Sequence, residues 1–240
     1  HGQCGKRSLK ILISGASGVL GRALTPLLTT GGHEVWALVR RKPKADNNEL
    51  HWNPQTGEID DLPYFDVVIH LAGEYIGLGR WTDEKKKVII ESRTKGTTLL
   101  AQKIAAQPNP PKVFLSASAV GYYGDTGDVM LEESSPSGED FISEVCRYWE
   151  EAAAPAEQAG IRTVLMRIGV SLSPQGGALQ RLLSTSFFGL IRSFGSGNQY
   201  ISRISTDDTI SAIYHAMCCE SLHGPINICA PNPVTNAEFM

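Results

Sequence analysis

The chain has 240 residues, of which 42% are hydrophobic and 20% are charged, and its formal net charge is −3. This composition is typical of a globular protein and excludes a disordered chain. The small negative charge gives no reason to expect nucleic acid or a membrane surface as a partner. We expect no membrane span and no targeting segment. The polar start, which lacks Met, is expected to be a tag or a trimmed end.

Cysteine and histidine usage gives no sign of a disulfide framework or a metal centre. The five cysteines are Cys4, Cys146, Cys218, Cys219 and Cys229. Their number is odd and none forms a CxxC pair, so we predict a reducing, cytoplasmic environment. The histidines lack metal-ligand spacing, so no metal site is predicted. His70 lies within an apolar run and is expected to be a satisfied core residue.

Short apolar runs alternate with helical patterns along the whole chain. Strands are predicted at Lys10–Ser14, Glu34–Val39, Val67–Leu71, Val113–Ser116, Thr163–Ile168 and Ile226–Cys229. Helices are predicted at Gly18–Thr30, Thr82–Gln107, Asp140–Gly160, Gly177–Leu190 and Thr206–Cys219, the last with Thr206 as its cap. Continuous apolar strands are typical of a sheet that is covered on both faces. The alternation therefore predicts an α/β fold with a doubly wound parallel sheet.

A glycine-rich loop joins the first predicted strand to the first helix. Gly15, Gly18 and Gly21 form a G-x-x-G-x-x-G pattern. Such glycines permit a sharp turn, close approach of a pyrophosphate and tight helix–sheet packing. In this position the pattern favours a dinucleotide site over a purely structural turn. The contacts to the cofactor are predicted from Gly15, Ser17, Gly18, Val19 and Leu20.

The end of the second predicted strand indicates which dinucleotide is bound. NAD sites carry an acidic residue at this point, but here the strand is followed by Arg40, Arg41 and Lys42. A guanidinium suits a 2′-phosphate in both charge and geometry. We predict NADP(H) with Arg40 as the main contact. The alternative is that the three cations form a solvated loop.

Several segments together resemble the extended short-chain dehydrogenases/reductases. They are the glycine loop, His70–Glu74, Ser92–Leu100 and Ser116–Gly124. Gly121–Gly124, within the last of these segments, and three others narrow the resemblance to the atypical group called epimerase family proteins. The three others are Gly79–Thr82, Arg167–Val170 and Ala230–Asn236. Members of that group are described as NADP-dependent sugar-nucleotide epimerases, and some bacterial ones as cell-division inhibitors. The resemblance implies a Rossmann-like fold, NADP as cofactor and a small-molecule substrate such as a nucleotide sugar; an oligomer is possible.

The resemblance also implies cofactor contacts in the middle of the chain. Leu71, Ala72 and Gly73 would follow a strand where small residues let the dinucleotide lie against the backbone. Arg93 stands where ordinary extended members carry Asn in an N-x-x-G-T motif. We predict that Arg93 holds phosphate or ribose oxygens. The alternative is a cation on the surface of a helix.

The catalytic residues depart from the family pattern. Short-chain dehydrogenases use a Ser and a Tyr-x-x-x-Lys pair, in which Lys lowers the pKa of the phenol. Phe141 and Val145 occupy the stretch expected to supply that pair. Ser118 matches the family Ser and is predicted to hydrogen-bond the reacting oxygen. Tyr123 is the candidate acid in place of the missing Tyr, with packing or substrate binding as its alternative.

The chain is predicted to divide into a nucleotide part and a substrate part. Residues 9–170 would form the nucleotide-binding domain, to which 201–230 return, with 171–200 and 231–240 on the substrate side. The glycine-rich segments Gly176–Gly177 and Phe194–Asn198 are predicted to line the pocket mouth. We expect the substrate cap to be truncated. The leading hypothesis is an NADP-dependent oxidoreductase or epimerase; the alternatives are an NADP(H)-sensing regulator and a septation-related interaction protein.

Overall fold

The structure, a computed structural model, describes residues 7–73, 82–173 and 200–239. The strands are β1 Lys10–Ser14, β2 Glu34–Val39, β3 Glu49–Asn53, β4 Glu58–Ile59, β5 Val67–His70, β6 Val113–Ala119, β7 Arg162–Ile168, β8 Val170–Leu172, β9 Tyr200–Ile201, β10 Arg203–Ser205, β11 Gly224–Ile228 and β12 Val234–Thr235. The α-helices are α1 Val19–Thr30, α2 Asp83–Ala105, α3 Phe141–Glu151, α4 Ala154–Gln158, α5 Thr206–Cys218 and α6 Asn236–Phe239. A short 3₁₀ helix covers Val120–Tyr123.

Eight of the described strands form one sheet in the order β11-β7-β6-β5-β1-β2-β3-β4. All neighbours are parallel except β3 and β4, which form an antiparallel pair at one edge. The chain moves outward from β1 to β2 and β3, then returns to place β5 on the other side of β1. At such a reversal the carboxyl ends of two strands diverge and leave a crevice that ligands use. The predicted doubly wound parallel sheet is confirmed.

The sheet is covered on both faces because its central strands are apolar on both sides. In β1, Ile11 and Ile13 belong to a core with Leu24 of α1 and Ile213 of α5. Between them Leu12 faces the opposite way, into a second core that includes residues of α2 and α4. Successive strand residues point to opposite faces. One continuous apolar run therefore fixes helices on both sides and holds the carboxyl edge of the sheet in place.

The structure differs from the sequence prediction in several details. The helix expected over Asp140–Gly160 is two helices, α3 and α4, with Pro155 in the first turn of α4. Ser205, not Thr206, caps α5, because its hydroxyl accepts a hydrogen bond from the Asp208 N–H at 3.0 Å. Strand β3 was not predicted, since only Trp52 of its five residues is buried.

Other expectations fall on parts of the chain that the structure does not describe. The helix predicted at Gly177–Leu190 and the two glycine-rich segments of the predicted pocket mouth lie outside the described residues. The same is true of most of the Gly79–Thr82 motif. Among the helices that are described, none combines the length and the apolar character that crossing a bilayer requires.

Candidate functional site

A cleft of about 620 Å³ opens at the carboxyl edge of the sheet, beyond the ends of β1 and β5. Most of the predicted cofactor residues line it: Gly15, Ser17, Gly18, Arg40, Leu71, Ala72 and Gly73. Val19 and Leu20 are the first residues of α1, directly after this lining. The walls also include Trp52, Pro54, Gln55 and Ser92, which were not predicted as cofactor contacts. The structure thus gathers residues from five separate segments around one cleft.

The glycine loop fits this space only because its glycines lack side chains. Gly15 has φ +76°, and a Cβ there would lie 2.7 Å from the backbone nitrogen of Ala72. A Cβ on Gly21 would overlap the carbonyl oxygen of Gly15. The Gly18 N–H donates to that same Gly15 carbonyl at 3.0 Å, which closes the turn. The loop is therefore drawn tightly against β5 and leaves the backbone open to the cleft.

Helix α1 begins without a side-chain cap, unlike helices α2, α3 and α5. Gly18 occupies the capping position and supplies no side-chain acceptor, and the first turn of α1 contains no acidic residue. Helices α2, α3 and α5 are capped by the side chains of Thr82, Asp140 and Ser205. A helix N-terminus carries unpaired N–H groups and partial positive charge. The open start of α1 in a cleft fits the binding of a phosphate group.

The two arginines after β2 have different surroundings. The Arg41 guanidinium donates to both carboxylate oxygens of Glu49, at 2.8 and 2.6 Å. Arg40 lines the cleft, is exposed and makes no ion pair with the described residues. Hydrogen bonds from Arg41 and from the Lys44 backbone lower the pKa of Glu49 to about 2. Arg40 is therefore the cation that remains available at this end of the cleft.

A buried hydrogen-bond chain beneath the cleft joins β1, β5 and α2. The Thr97 hydroxyl donates to the Arg93 carbonyl at 2.8 Å, so it must accept from His70 Nε2, also 2.8 Å away. His70 Nδ1 is then an acceptor for the Ser14 hydroxyl at 2.5 Å. The Ala72 N–H donates to Ser14 Oγ at 3.4 Å. Burial lowers the pKa of His70 to about 4, so the ring stays neutral at pH 7.

These hydrogen bonds confirm His70 as a satisfied core residue and place it directly beneath the cleft. Every polar atom of the ring is paired, so the histidine is neither a metal ligand nor a base directed into the cleft. Within the described ranges, no group of three or more His, Cys, Asp or Glu side chains is placed to hold a metal ion. His70 instead fixes Ser14 and thereby the cleft wall at Ala72.

Arg93 does not line the cleft. It is 6% exposed, so the alternative of a helix-surface cation is wrong. Its guanidinium lies 5.0 Å from the centre of the Trp149 ring and donates to the Ile89 carbonyl. Trp149 in turn lies against Gly73, where an added Cβ would be 3.6 Å from its ring. Arg93 thus supports the cleft wall through Trp149, and a direct contact with the cofactor stays a prediction.

Ser118 and Tyr123, the two predicted catalytic residues, meet in a buried group that we call the polar cluster. Its members are Ser118, Tyr123, Glu150, Arg167 and Asn227. Arg167 and Ser118 are paired residues of β7 and β6. The Arg167 guanidinium forms two hydrogen bonds to Glu150, at 2.8 and 2.9 Å, and the Ser118 hydroxyl donates to Glu150 Oε1 at 2.7 Å.

Tyr123 completes the polar cluster on the opposite side of Arg167. Its phenol donates to Asn227 Oδ1 at 2.7 Å and accepts from Arg167 at 2.9 Å. The Arg167 guanidinium also lies 3.5 Å from the centre of the Tyr122 ring. Burial alone would lower the pKa of Arg167, but its bonds to Glu150 and Tyr123 raise that pKa overall. The cluster is therefore a buried ion pair with both predicted catalytic hydroxyls attached.

The comparison with known proteins settles the family of the chain. The sequence profile of the NAD dependent epimerase/dehydratase family matches residues 11–229. The chain belongs to this family. Similar relatives include an epimerase family protein of Mycobacterium bovis, which is 42% identical over 231 residues, or 95% of this chain and 76% of the relative. The predicted resemblance to epimerase family proteins is confirmed.

Two solved structures show how far the likeness to known proteins extends. A human epimerase family protein, SDR39U1, was crystallised with NADPH; it is 35% identical, with a TM-score of 0.86 over 96% of this chain and 77% of that one. A nucleoside-diphosphate sugar epimerase from Corynebacterium glutamicum is 44% identical, with a TM-score of 0.85. That match covers 97% of this chain, which spans about half (49%) of the Corynebacterium protein.

Sequence reasoning missed two parts of this epimerase-family site. Trp52, Pro54 and Gln55 reach the cleft through β3, a strand that was not predicted. Glu150 and Asn227 carry no local motif, and Asn227 lies 104 residues from its partner Tyr123. The available signal was a pair of charges: Glu150 on an amphipathic helix and Arg167 within an otherwise apolar strand, since a buried charge requires a partner.

Proposed function

We propose that this chain binds NADP(H) in the cleft and acts as an oxidoreductase or nucleotide-sugar epimerase on a carbon that bears a hydroxyl or carbonyl group. The observation that carries the proposal is the uncapped start of α1 beside the glycine loop, with Arg40 available at the same cleft. The NADPH in the human relative and the name of the Corynebacterium protein agree with it. Fold alone does not identify a reaction.

The residues present fit the two phosphate-bearing parts of NADP. The pyrophosphate would be held by the glycine loop and the first turn of α1, through Gly15, Ser17, Gly18, Val19 and Leu20. Arg40 would hold the 2′-phosphate. Since Arg40 follows β2 on one side of β1, the other half of the cofactor would extend past Leu71–Gly73 toward β6. When bound, the nicotinamide supplies hydride transfer.

The rest of the chain is assigned accordingly. We propose residues 9–170 and 201–230 as the nucleotide-binding part, and 171–200 with 231–240 as the substrate side. A small molecule, with a nucleotide sugar as the preferred class, would be the partner. The protein would act in the cytoplasm, where NADP(H) is available, either alone or as an oligomer.

Proton handling in this proposal falls to Ser118 and Glu150. The Ser118 hydroxyl already donates to Glu150, so its oxygen is left as an acceptor for a substrate hydroxyl. A proton leaving that hydroxyl would pass to Ser118 while the Ser118 proton passes to Glu150. Tyr123 is less suited to the role of acid, because its proton is held by Asn227 and its oxygen accepts from Arg167. We assign Tyr123 to positioning.

A second candidate function is supported by the same polar cluster. Tyr123 is 4% exposed and fully paired, and the Tyr-x-x-x-Lys pair of active short-chain dehydrogenases is missing. A chain of this kind could bind NADP(H) without turnover and act as a regulator that senses the nucleotide. The two candidates share the cofactor site and differ only in chemistry at Ser118.

The deciding experiment combines binding and turnover measurements. The protein is titrated with NADPH by calorimetry and then incubated with NADP(H) and panels of carbonyl compounds and of UDP-, GDP- and dTDP-sugars. Reduction is followed by loss of NADPH absorbance, and epimerisation by chromatography of sugar isomers, because an epimerase returns its cofactor unchanged. Turnover that disappears in Ser118→Ala supports the enzyme. Tight NADPH binding without any product supports the regulator.

A further inference from the structure

The loop between β2 and β3, residues 40–48, carries the cations that face the cofactor cleft. Arg40 and Arg41 both line the cleft, and Lys42 is exposed next to them. A loop with several long cations would bind a phosphate weakly if its backbone were loose, because ordering the loop costs entropy on binding. The loop is nevertheless tightly organised, and one carboxylate accounts for much of this order.

That carboxylate is Glu49, the first residue of β3. It accepts two hydrogen bonds from the Arg41 guanidinium, one from the Lys44 backbone N–H at 2.9 Å and one from the Asn47 side chain at 3.3 Å. Its side chain is 9% exposed, whereas that of Arg41 is 52% exposed. Glu49 thus lies beneath the loop and accepts hydrogen bonds from three residues that are spaced along it.

Of the two arginines that line the cleft, Arg41 is paired with Glu49 and Arg40 makes no ion pair with the described residues. A bare carboxylate close to the cleft would repel a phosphate, but Glu49 is neutralised by the bidentate pair with Arg41. Arg41 also donates to the Lys42 carbonyl at 3.0 Å, so its guanidinium is already committed within the loop. The pair therefore contributes order without a net charge of either sign.

We propose that Glu49 is a positioning residue for coenzyme selection, which organises residues 40–48 so that Arg40 is presented to a 2′-phosphate. The inference rests on the proposed NADP(H) function and adds a residue that has no contact with the nucleotide. Its consequence is specific to the 2′-phosphate. Loss of Glu49 weakens NADPH binding and leaves NADH binding almost unchanged, because NADH has no group at this position.

The test measures dissociation constants for NADPH and NADH by titration calorimetry in the wild type, Glu49→Ala and Glu49→Gln. In Glu49→Ala the NADPH affinity is expected to fall about fivefold, the cost of ordering a loop of long side chains at binding. Glu49→Gln is expected to recover part of this loss, since its amide oxygen still accepts from the Lys44 N–H. Asp61→Ala, which breaks an exposed pair with Lys103, is the matched control and should change neither affinity.

The possible outcomes separate the inference from the function on which it rests. Equal weakening of NADPH and NADH in Glu49→Ala would mean a general structural role and would overturn the proposal. Unchanged or stronger NADPH binding would overturn it as well, the latter by showing that a released Arg41 binds phosphate itself. A wild type that does not prefer NADPH would overturn the proposed cofactor instead, and is recognised before any variant is compared.

Discussion

Two regions of the molecule, the lining of the cleft and the polar cluster, hold their polar groups in opposite ways. At the end that we propose as the phosphate end, formed by the glycine loop, the start of α1 and Arg40, the helix has no side-chain cap and Arg40 makes no ion pair with the described residues. In the polar cluster, every predicted catalytic group is bonded to another side chain and buried. Hydrogen-bond donors that lack a partner within the protein are typical of a site that binds a ligand. The polar cluster instead resembles a structural core. A substrate would have to bind to it without breaking the hydrogen bonds between its side chains.

The largest effect is expected from breaking the polar cluster. Arg167→Met leaves the Glu150 carboxylate buried without its cation, so the free energy of unfolding should fall by about 3–5 kcal/mol. Urea unfolding measures this change. The double variant with Glu150→Leu should regain much of the loss, because two apolar side chains replace an ion pair. NADPH affinity should hardly change. A loss below about 1 kcal/mol in the single variant would show that the pair is solvated.

The second effect concerns His70, whose hydrogen bonds support the cleft from below. The folded protein keeps His70 neutral down to about pH 4, whereas the unfolded chain takes up a proton near its ordinary value of 6.5. The unfolded state therefore binds more protons in this window, and stability should fall as the pH drops from about 6.5 toward 4, by up to about 3 kcal/mol. His70→Gln should be less stable at pH 7 and should lack this part of the decline. Parallel pH profiles of the two proteins would contradict the assignment.

The third effect tests the phosphate end directly. Arg40→Ala removes a charge-assisted contact to a 2′-phosphate, so the dissociation constant for NADPH should rise about 10- to 100-fold. The affinity for NADH and the free energy of unfolding should stay the same, since Arg40 has no ion pair to lose within the described chain. Lys42→Ala is the matched control and should have a much smaller effect. Similar losses in both variants would indicate only the general charge of the loop.

The smallest effect is a difference in the free energy of unfolding between variants of Ser118 and of Ser116, two residues earlier on β6. Ser118→Ala loses one hydrogen bond to Glu150, which keeps two from Arg167, so unfolding should become easier by about 1 kcal/mol. Ser116 is also buried, but its hydroxyl has no partner in the described structure. Ser116→Ala should therefore be neutral or slightly stabilising. Chemical denaturation of the two variants side by side gives the comparison, which equal losses would contradict.

Local patterns predicted the strands and the loop that form the proposed phosphate end. Strands β1 and β2 begin and end at the predicted residues, and the glycine loop and Arg40 lie where the sequence indicated. Each of these features depends on a few consecutive residues: an apolar run, a turn that needs glycine, or a cation at the end of a strand. Arg40 was predicted as the main contact, but the sequence did not indicate that Arg41 would be paired with Glu49. Only the approach of Glu49 from the next strand separates them.

The polar cluster could not be predicted in the same way because its contacts are not local. Ser118 was identified by its motif, but its acceptor Glu150 lies 32 residues further along the chain. Arg167 was noted only as part of a family motif, without a partner. Strand β3 was missed for a related reason: its residues are mostly half-exposed, so the apolar pattern that marks buried strands is absent.

The position of Trp149 has a practical consequence. Its indole lies against Gly73 at one end of the cleft, while Trp52 lines the wall near Gln55. A reduced nicotinamide absorbs light in the range in which an excited indole emits it. Binding of NADPH can therefore be followed by quenching of the intrinsic tryptophan fluorescence. A smaller quenching in Trp149→Phe than in the wild type would show that the nicotinamide lies toward Trp149, and would thus give the orientation of the dinucleotide.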